Sequence, residues 1–435
     1  MSAGTMIMLL TTVLALTGCA VFMLVIAGEE MNSRAHELPR MIEEVGASPF
    51  PKEAVSPDQV RTPRPMTQPE AMEQRMLAEQ TPRPAAQEIR SFTLAAAGTV
   101  YAPKAIRTSA LTETGEYDFA PVFSGLGDAL SGADLAIATL ETMTTGEKKE
   151  YGSYNAPVQL LDALREAGVD LVSLGTERAF DKGYEGLQIT MGELTARGLM
   201  TTGVSMPDDV SRKTNLIGIN GIQVAVLGYS YGLSEEGKTN AAPGETDVLA
   251  IADIQRMIRD IRQARVDGAN VVIVLPHWGT KNKQETPEEL RTMAQMLAQA
   301  GADVILGTHP NVVQGTQRLT VTRADGLAYD AVVCYSLGSL LTDAQTEENT
   351  AGMIARLNVY YDPAARRVTL GSLASLPVYI AREKEDGQTV YRVVDVENGQ
   401  AMSALSAQEQ AAAHHAAELV REITGQRDME DEGQG

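Results

Sequence analysis

The chain has 435 residues, 44% of them hydrophobic, which gives room for one large core or two ordinary ones. A formal net charge of −21 argues against nucleic acid as a partner, because phosphate binding rests on a basic surface that this composition does not supply. The only cysteines are Cys19 and Cys334, and Cys19 falls inside an apolar run, so no structural disulfide is expected.

Met6 to Ala27 carries no charge and is long enough to span the hydrocarbon core of a bilayer. It reads as an uncleaved membrane anchor. A cleaved signal peptide and a lipoprotein signal, with Leu16-Thr17-Gly18-Cys19 in the form of a lipobox, are its rivals. No Lys or Arg precedes the run, however, and the apolar stretch continues past Cys19 to Ile26. From Glu29 to about Gln87 the chain is rich in Pro, Glu, Gln and Met and repeats Thr-Pro-Arg-Pro at 62–65 and 81–84, the composition of a disordered spacer with a helical segment from Pro69 to Glu79.

From Ile89 onward strands alternate with helices. Four times a small residue and an Asp or Asn precede an apolar run that ends in polar groups. The runs starting at Ala133-Asp134 and Val169-Asp170 lead to Glu141 and to Glu177, Arg178 and Asp181; those starting at Ala269-Asn270 and Ala302-Asp303 lead to His277 and His309. Helices are expected over Phe119–Leu130, Val158–Ala167 and Val248–Val266, with Gly168 and Gly268 as stops. Near-continuous apolar strands between helices indicate a sheet covered on both faces, hence an α/β domain.

The stretch 271–315 is the clearest unit. Two short β-branched runs flank a helix that starts at a Thr286 cap, carries Leu290, Met293, Leu297 and Ala300 at helical spacing, and stops at Gly301. A right-handed crossover makes the two strands parallel, so His277 and His309 emerge beyond their carboxyl ends, where open α/β sheets bind ligands. Imidazole and carboxylate at neighbouring strand ends suit Zn, Mn or Fe. After Gln314 the pattern becomes β-rich, with antiparallel strands expected over 317–322, 328–337, 353–361, 367–375 and 389–394. Ser403–Ile423 is Ala-rich and helical, and His414 and His415 lie on its surface.

The sequence resembles the capsule-synthesis CapA or poly-γ-glutamate biosynthesis family, whose domain resembles the calcineurin-like metallophosphoesterases. The resemblance covers about residues 91–342 and rests on Thr-Leu-Glu at 139–141, Ala-Phe-Asp-Lys-Gly at 179–183, Pro-His-Trp-Gly at 276–279, the run 301–310 ending Gly-Thr-His-Pro, and Tyr-Ser-Leu-Gly at 335–338. It implies a layered α-β-β-α metallophosphoesterase-like domain over 89–395. Before it come a transmembrane anchor over 1–28 and a Pro-rich linker over 29–88; after it comes an Ala-rich helix with an acidic tail over 396–435.

Departures from the family pattern fall on the site. Gly98-Thr99 stands where the family carries Gly-Asp, Thr176-Glu177-Arg178 where it carries an Asn-x-His motif, His309-Pro310-Asn311 where it carries His-Pro-His, and Lys281-Asn282 where Glu-Tyr commonly follows His-Trp-Gly. Of the implied ligand set Glu141, His277 and His309 remain. They are enough for one divalent ion, against which Arg178 places a positive charge. The candidate catalytic residues are His277, His309 and Asp181; the candidate substrate-binding residues are Arg178, Lys281, Trp278 and Asn311.

Two functions follow. One is a single-pass membrane protein with its main domain outside the cell, assisting assembly or export of an anionic surface polymer by binding it, together with synthesis or export subunits. The other is a metal-dependent hydrolase with one ion at Glu141, His277 and His309. A structural subunit with a vestigial pocket is a weaker third.

Overall fold

In the computed structural model, residues 88–146, 152–205, 214, 216–322, 326 and 328–425 are described. The expected anchor, spacer and helix at 69–79 lie outside the described residues, as do 426–435. No helix among the described residues is long and apolar enough to cross a membrane.

The chain builds two sheets in three passes. β1 (Arg90–Val100), β2 (Leu135–Leu140), β3 (Leu171–Ser173) and β4 (Met200–Thr202) run side by side in parallel and start the first sheet. β5 (Leu216–Ile219), β6 (Ile222–Ser230), β7 (Val271–His277), β8 (Val304–Leu306), β9 (Thr316–Thr322) and β10 (Ala328–Cys334) make the second, six-stranded sheet in the order β5-β6-β7-β8-β10-β9. The chain then returns to the first sheet: β11 (Ser339–Leu341) pairs with β1, and β12 (Ala351–Asp362), β13 (Arg367–Glu385) and β14 (Gln388–Asp395) extend it as an antiparallel meander on the other side of β1.

The apolar strands are unbroken because both faces of each central strand are covered. In β1, Phe92, Leu94 and Ala96 join the core between the sheets, while Ala95 and Ala97 face a second core under the helices that include Gln159–Glu166 and Gly183–Ala196. In β7, Val271, Ile273 and Leu275 point between the sheets, whereas Val272 and Val274 pack beneath the helices Ile254–Val266 and Glu288–Ala300. The layers are therefore helix, sheet, sheet, helix, the period-two pattern of a strand buried on both faces.

The repeated Asp or Asn has a physical role. Each takes a backbone N–H from the preceding parallel strand: Asp134 from Thr93 (2.8 Å), Asp170 from Ala136 (2.9 Å), Asn270 from Gln223 (2.8 Å) and Asp303 from Val272 (2.8 Å). Each also donates its own N–H back to that strand, so the residue starts the ladder and fixes its register. The four strands so aligned bring their carboxyl ends to one region.

At the carboxyl ends of β4 and β6 the two sheets are pinched together. Thr202 Oγ1 donates to Val226 O (2.7 Å) and accepts from Gly228 N (3.0 Å), bonding β4 to β6 across the layers. A Cβ on Gly175 would lie 2.8 Å from Tyr229 N and one on Gly228 3.0 Å from Gly203 N, so glycine at both positions allows this approach.

Several element boundaries differ from expectation. The helix expected over 119–130 is only Ala120–Phe123, because Gly125 then drops onto β14, with Asp395 N donating to Gly125 O (3.1 Å). The helix expected from Val248 starts at Ile254, where Asp253 Oδ1 accepts from Arg256 N (2.8 Å), since Leu249 and Ile251 are spent on bridges to Val204 and Ser230. Thr286 is not a cap: Pro287 holds that position and Thr286 is buried. β10, expected to be antiparallel, pairs parallel to β8 and antiparallel to β9. The Ala-rich helix Ala407–Thr424 belongs to the domain, since Ala413, Ala416, Ala417 and Val420 are buried in the core between the sheets.

Candidate metal centre

Both sheets contribute to the site. Glu141 follows β2, its N–H held by Val100 O (3.0 Å), and Glu177 lies in the loop after β3, its carbonyl accepting from Ser234 N (2.9 Å). His277 is the last residue of β7, and His309 follows β8 with φ +99. A left-handed backbone at a residue with a Cβ costs about 1–3 kcal/mol and persists only where the surroundings impose it. Two residues before it Gly307 allows a close approach: a Cβ there would lie 2.0 Å from Tyr335 O, so the chain leaves β8 in close contact with the 335–338 turn.

One nitrogen is the hub. His277 Nε2 lies 2.5 Å from Glu177 Oε2, 3.2 Å from Glu141 Oε1 and 3.3 Å from His309 Nδ1. His309 Nδ1 is also 3.4 Å from Glu177 Oε2. All four residues are buried, and their nearest donor atoms lie within 4.8 Å of one another. On the opposite edge of the ring His277 Nδ1 meets Thr308 Oγ1 at 2.9 Å, which directs Nε2 into the cluster. Tyr231, half exposed, stands at the mouth with its ring 4.6 Å from that of His309.

The titration of the cluster follows from burial and charge. Burial alone would pull the His277 imidazolium down, but the Glu141 and Glu177 carboxylates beside it push it up to about 9. Burial raises the Glu177 carboxyl, and bonds from His277 and His309 reverse this and hold it far below the usual carboxylate range. His309 is lowered, by burial and by its charged neighbour His277, against the pull of the Glu177 carboxylate.

The donors fit a divalent ion. A single Nε2–H on His277 can serve one carboxylate, and it serves Glu177. Glu141 Oε1 is left buried with no hydrogen bond of good geometry. An uncompensated buried carboxylate oxygen is costly, and a cation at the centre of the four donors would relieve it. Two imidazoles and two carboxylates are a donor set for Zn, Mn or Fe, whose ligands stand roughly 2.0–2.2 Å from Zn in protein sites.

The residues expected at this site divide. Glu141, His277 and His309 come together as expected, and Glu177 joins them as a fourth donor that the motif comparison passed over, because it occupies the variable position of the Asn-x-His motif. Arg178 does not sit as a bare charge against the cluster. Its guanidinium lies 3.8 Å over the Tyr154 ring and pairs with Asp181 at 3.2 Å, and only its Nε comes within 3.6 Å of Glu177. Lys281 reaches the cluster directly, with Nζ 2.8 Å from Glu177 Oε1. Three carboxylates thus face Arg178, Lys281 and the His277 imidazolium, whose Nε2 proton a divalent ion would replace.

Two expected roles are corrected. Asp181 lies outside the donor set, because Ser234 Oγ donates to one of its oxygens and Arg178 to the other; it positions Arg178. Trp278 is 2% exposed and its indole N–H donates to Tyr335 O (2.9 Å), so it packs the core under Gly307 and does not offer itself to a substrate. The backbone carbonyl of Asn311 accepts from Ser339 Oγ (3.3 Å) and Asn349 Nδ2 (3.2 Å), tying the His309 loop to β11 and to the turn before β12. Thr99, where the family carries Asp, is buried, and its Oγ1 meets no hydrogen-bonding partner among the described residues.

Fold and cluster together define a two-sheet, helix-covered α/β protein with a candidate mononuclear centre of mixed carboxylate and imidazole donors. The chain belongs to the family of the bacterial capsule synthesis protein PGA_cap, whose model matches residues 93–344. It is similar to the PGA biosynthesis protein CapA of Bacillus subtilis (strain 168), 28% identical over 181 residues, which are 41% of this chain and 44% of the relative. It is also similar to the capsule biosynthesis protein CapA of Bacillus anthracis, 24% identical over 236 residues, 51% of this chain and 54% of the relative. The chain therefore spans about half the length of the curated relatives it matches. Among solved structures it is similar to the calcineurin-like phosphoesterase YfkN from Bacillus subtilis, at 11% identity and a TM-score of 0.38 over 77% of this chain and 98% of that one, too loose a likeness to carry an argument.

Proposed function

We propose that this protein assists the assembly or export of an anionic surface polymer such as poly-γ-glutamate, and that it engages the polymer at one divalent ion held by Glu141, Glu177, His277 and His309. The observation that carries the reading is the convergence of these four buried donors within 4.8 Å, in a chain whose curated relatives are named for PGA and capsule biosynthesis. When bound, the ion supplies a Lewis-acidic positive centre that accepts a carboxylate oxygen. The protein's own residues do the rest. Thr308 fixes the His277 ring, Lys281 and Arg178 balance Glu177, and Tyr231 edges the opening.

The uncharged run Met6 to Ala27 supports a single-pass anchor, and in this reading the domain lies outside the cell beside synthesis or export subunits. The hydrolase reading keeps one specific support: the same donors and ion are those of metal-assisted hydrolysis. One experiment separates the two. Purified full-length chain in detergent is mixed with poly-γ-glutamate, and both binding and polymer length are followed. Binding with unchanged length is the expected result; shortened polymer makes the protein a hydrolase, and absence of binding overturns the proposal.

A further inference from the structure

We propose that the cleft between Tyr101, Lys104, Thr108, Tyr117 and Asp343 is a groove for an extended stretch of a carboxylate-bearing chain whose end reaches the four-donor cluster; this rests on the polymer-handling reading above. The cleft has a volume of about 700 Å³, in the range of sites that bury most of a small ligand. It lies against the helix Lys104–Ser109, beyond the carboxyl end of β1.

A column of stacked groups leads from it to the cluster. Tyr101 stacks on Tyr154 with ring centres 4.7 Å apart, Arg178 lies 3.8 Å over Tyr154, and Arg178 Nε is 3.6 Å from Glu177 Oε1. The column is held in place at a cost. Tyr154 has φ +53, a conformation that residues with a Cβ rarely adopt, and it is fixed there by Met143 N donating to its carbonyl (2.9 Å) and by Asn155 Nδ2 donating to Thr145 Oγ1 (2.8 Å). Arg107, buried beneath the cleft, donates to Ala102 O (3.1 Å), Asn155 O (2.8 Å) and Gly152 O (2.9 Å), and so fixes the wall that carries Tyr154. Strain retained next to a cluster of ligating groups is a feature of binding and catalytic sites.

The chemistry of the lining selects the occupant. Lys104, exposed, and Arg107, buried beneath it, line the cleft with Asp343 as the one lining carboxylate among the described residues, within a protein of net charge −21. Cations segregated in one cleft of an acidic protein focus anions there. The phenol faces of Tyr101 and Tyr117 suit flat amide planes and methylene stretches between the charges. Burial, with Tyr154 and Asp343 adding to it, pushes the Tyr101 phenol up to about 12, so it stays an O–H donor at neutral pH.

The test is binding of fluorescently labelled poly-γ-glutamate oligomers to the full-length chain in detergent, for wild type, Lys104→Glu, Lys104→Gln and Tyr101→Ala, with metal content measured alongside. Lys104 is exposed, so its variants should fold as wild type. The expected result is a Kd that rises with salt, weakening of at least about tenfold in Lys104→Glu with a smaller loss in Lys104→Gln, weakening in Tyr101→Ala, and unchanged metal content. If wild type binds and Lys104→Glu binds as tightly, the groove is wrong while the polymer-handling reading stands. If wild type does not bind, that reading fails and the groove fails with it.

Discussion

Thr308 shows how much of this site is carried by residues that touch no ligand. Its hydroxyl meets His277 Nδ1 at 2.9 Å and so leaves Nε2 facing Glu141, Glu177 and His309. Thr308→Val keeps the shape and removes that bond; the expected outcome is metal affinity lowered about 10- to 100-fold with little change in melting, measured by competition with a chelator. Trp278 predicts the reverse. Its loss in Trp278→Ala should cost about 3–5 kcal/mol of stability in urea unfolding without abolishing metal binding, because it fills the core beneath the site. His277, Glu141 and His309 were legible in the sequence because they end strands in a recurring pattern. Glu177 as a ligand was not, because a motif comparison weighs the flanking positions, and only the folded loop shows that its carboxylate, not the Arg178 guanidinium, turns inward.

The same cluster gives a pH dependence. In the metal-free protein the His277 pKa is raised from 6.5 to about 9, so the charged imidazolium between its carboxylates contributes stability that is fully present below about pH 6.5 and is lost as the pH rises through about 9. The melting temperature of metal-stripped protein should fall across that window, and the fall should be smaller in His277→Gln. Equal falls in both would contradict the geometry.

At the level of elements, the Asp or Asn before each parallel strand sets the register that brings the four polar tips together. Asp303 is fully buried, accepts from Val272 N and also pairs with Arg265 at 2.5 Å, whereas Asp134 is exposed. Asp303→Ala is expected to cost about 1–3 kcal/mol in denaturant unfolding and Asp134→Ala measurably less. This repeat could be read directly from the sequence, and so could most strands, because burial on both faces leaves an unbroken apolar run. Helix limits were less legible. The stretch after Phe123 keeps helical spacing, but Gly125 is claimed by β14, a contact 270 residues away in sequence (395 against 125) that no local pattern encodes.

For the whole molecule, the site lies across the seam of the two sheets. Glu141 and Glu177 follow strands of the first sheet, and His277 and His309 follow strands of the second. An ion held by all four is therefore a staple between layers, and its binding energy adds to folding stability by mass action, about 2.7 kcal/mol at free ion a hundredfold above Kd. The layered architecture was legible in the sequence. That the sheets meet through Thr202, Gly203 and Gly228 was not, because nothing in the chain signals which glycine faces another backbone.

The most direct measurement is the metal content of the purified full-length chain, by elemental analysis, in wild type and in Glu177→Ala. The account predicts one Zn, Mn or Fe per chain in wild type and its loss in Glu177→Ala, with the melting temperature falling alongside. Wild type that takes up no divalent ion, or a Glu177→Ala variant that holds its ion as tightly as wild type, would contradict it.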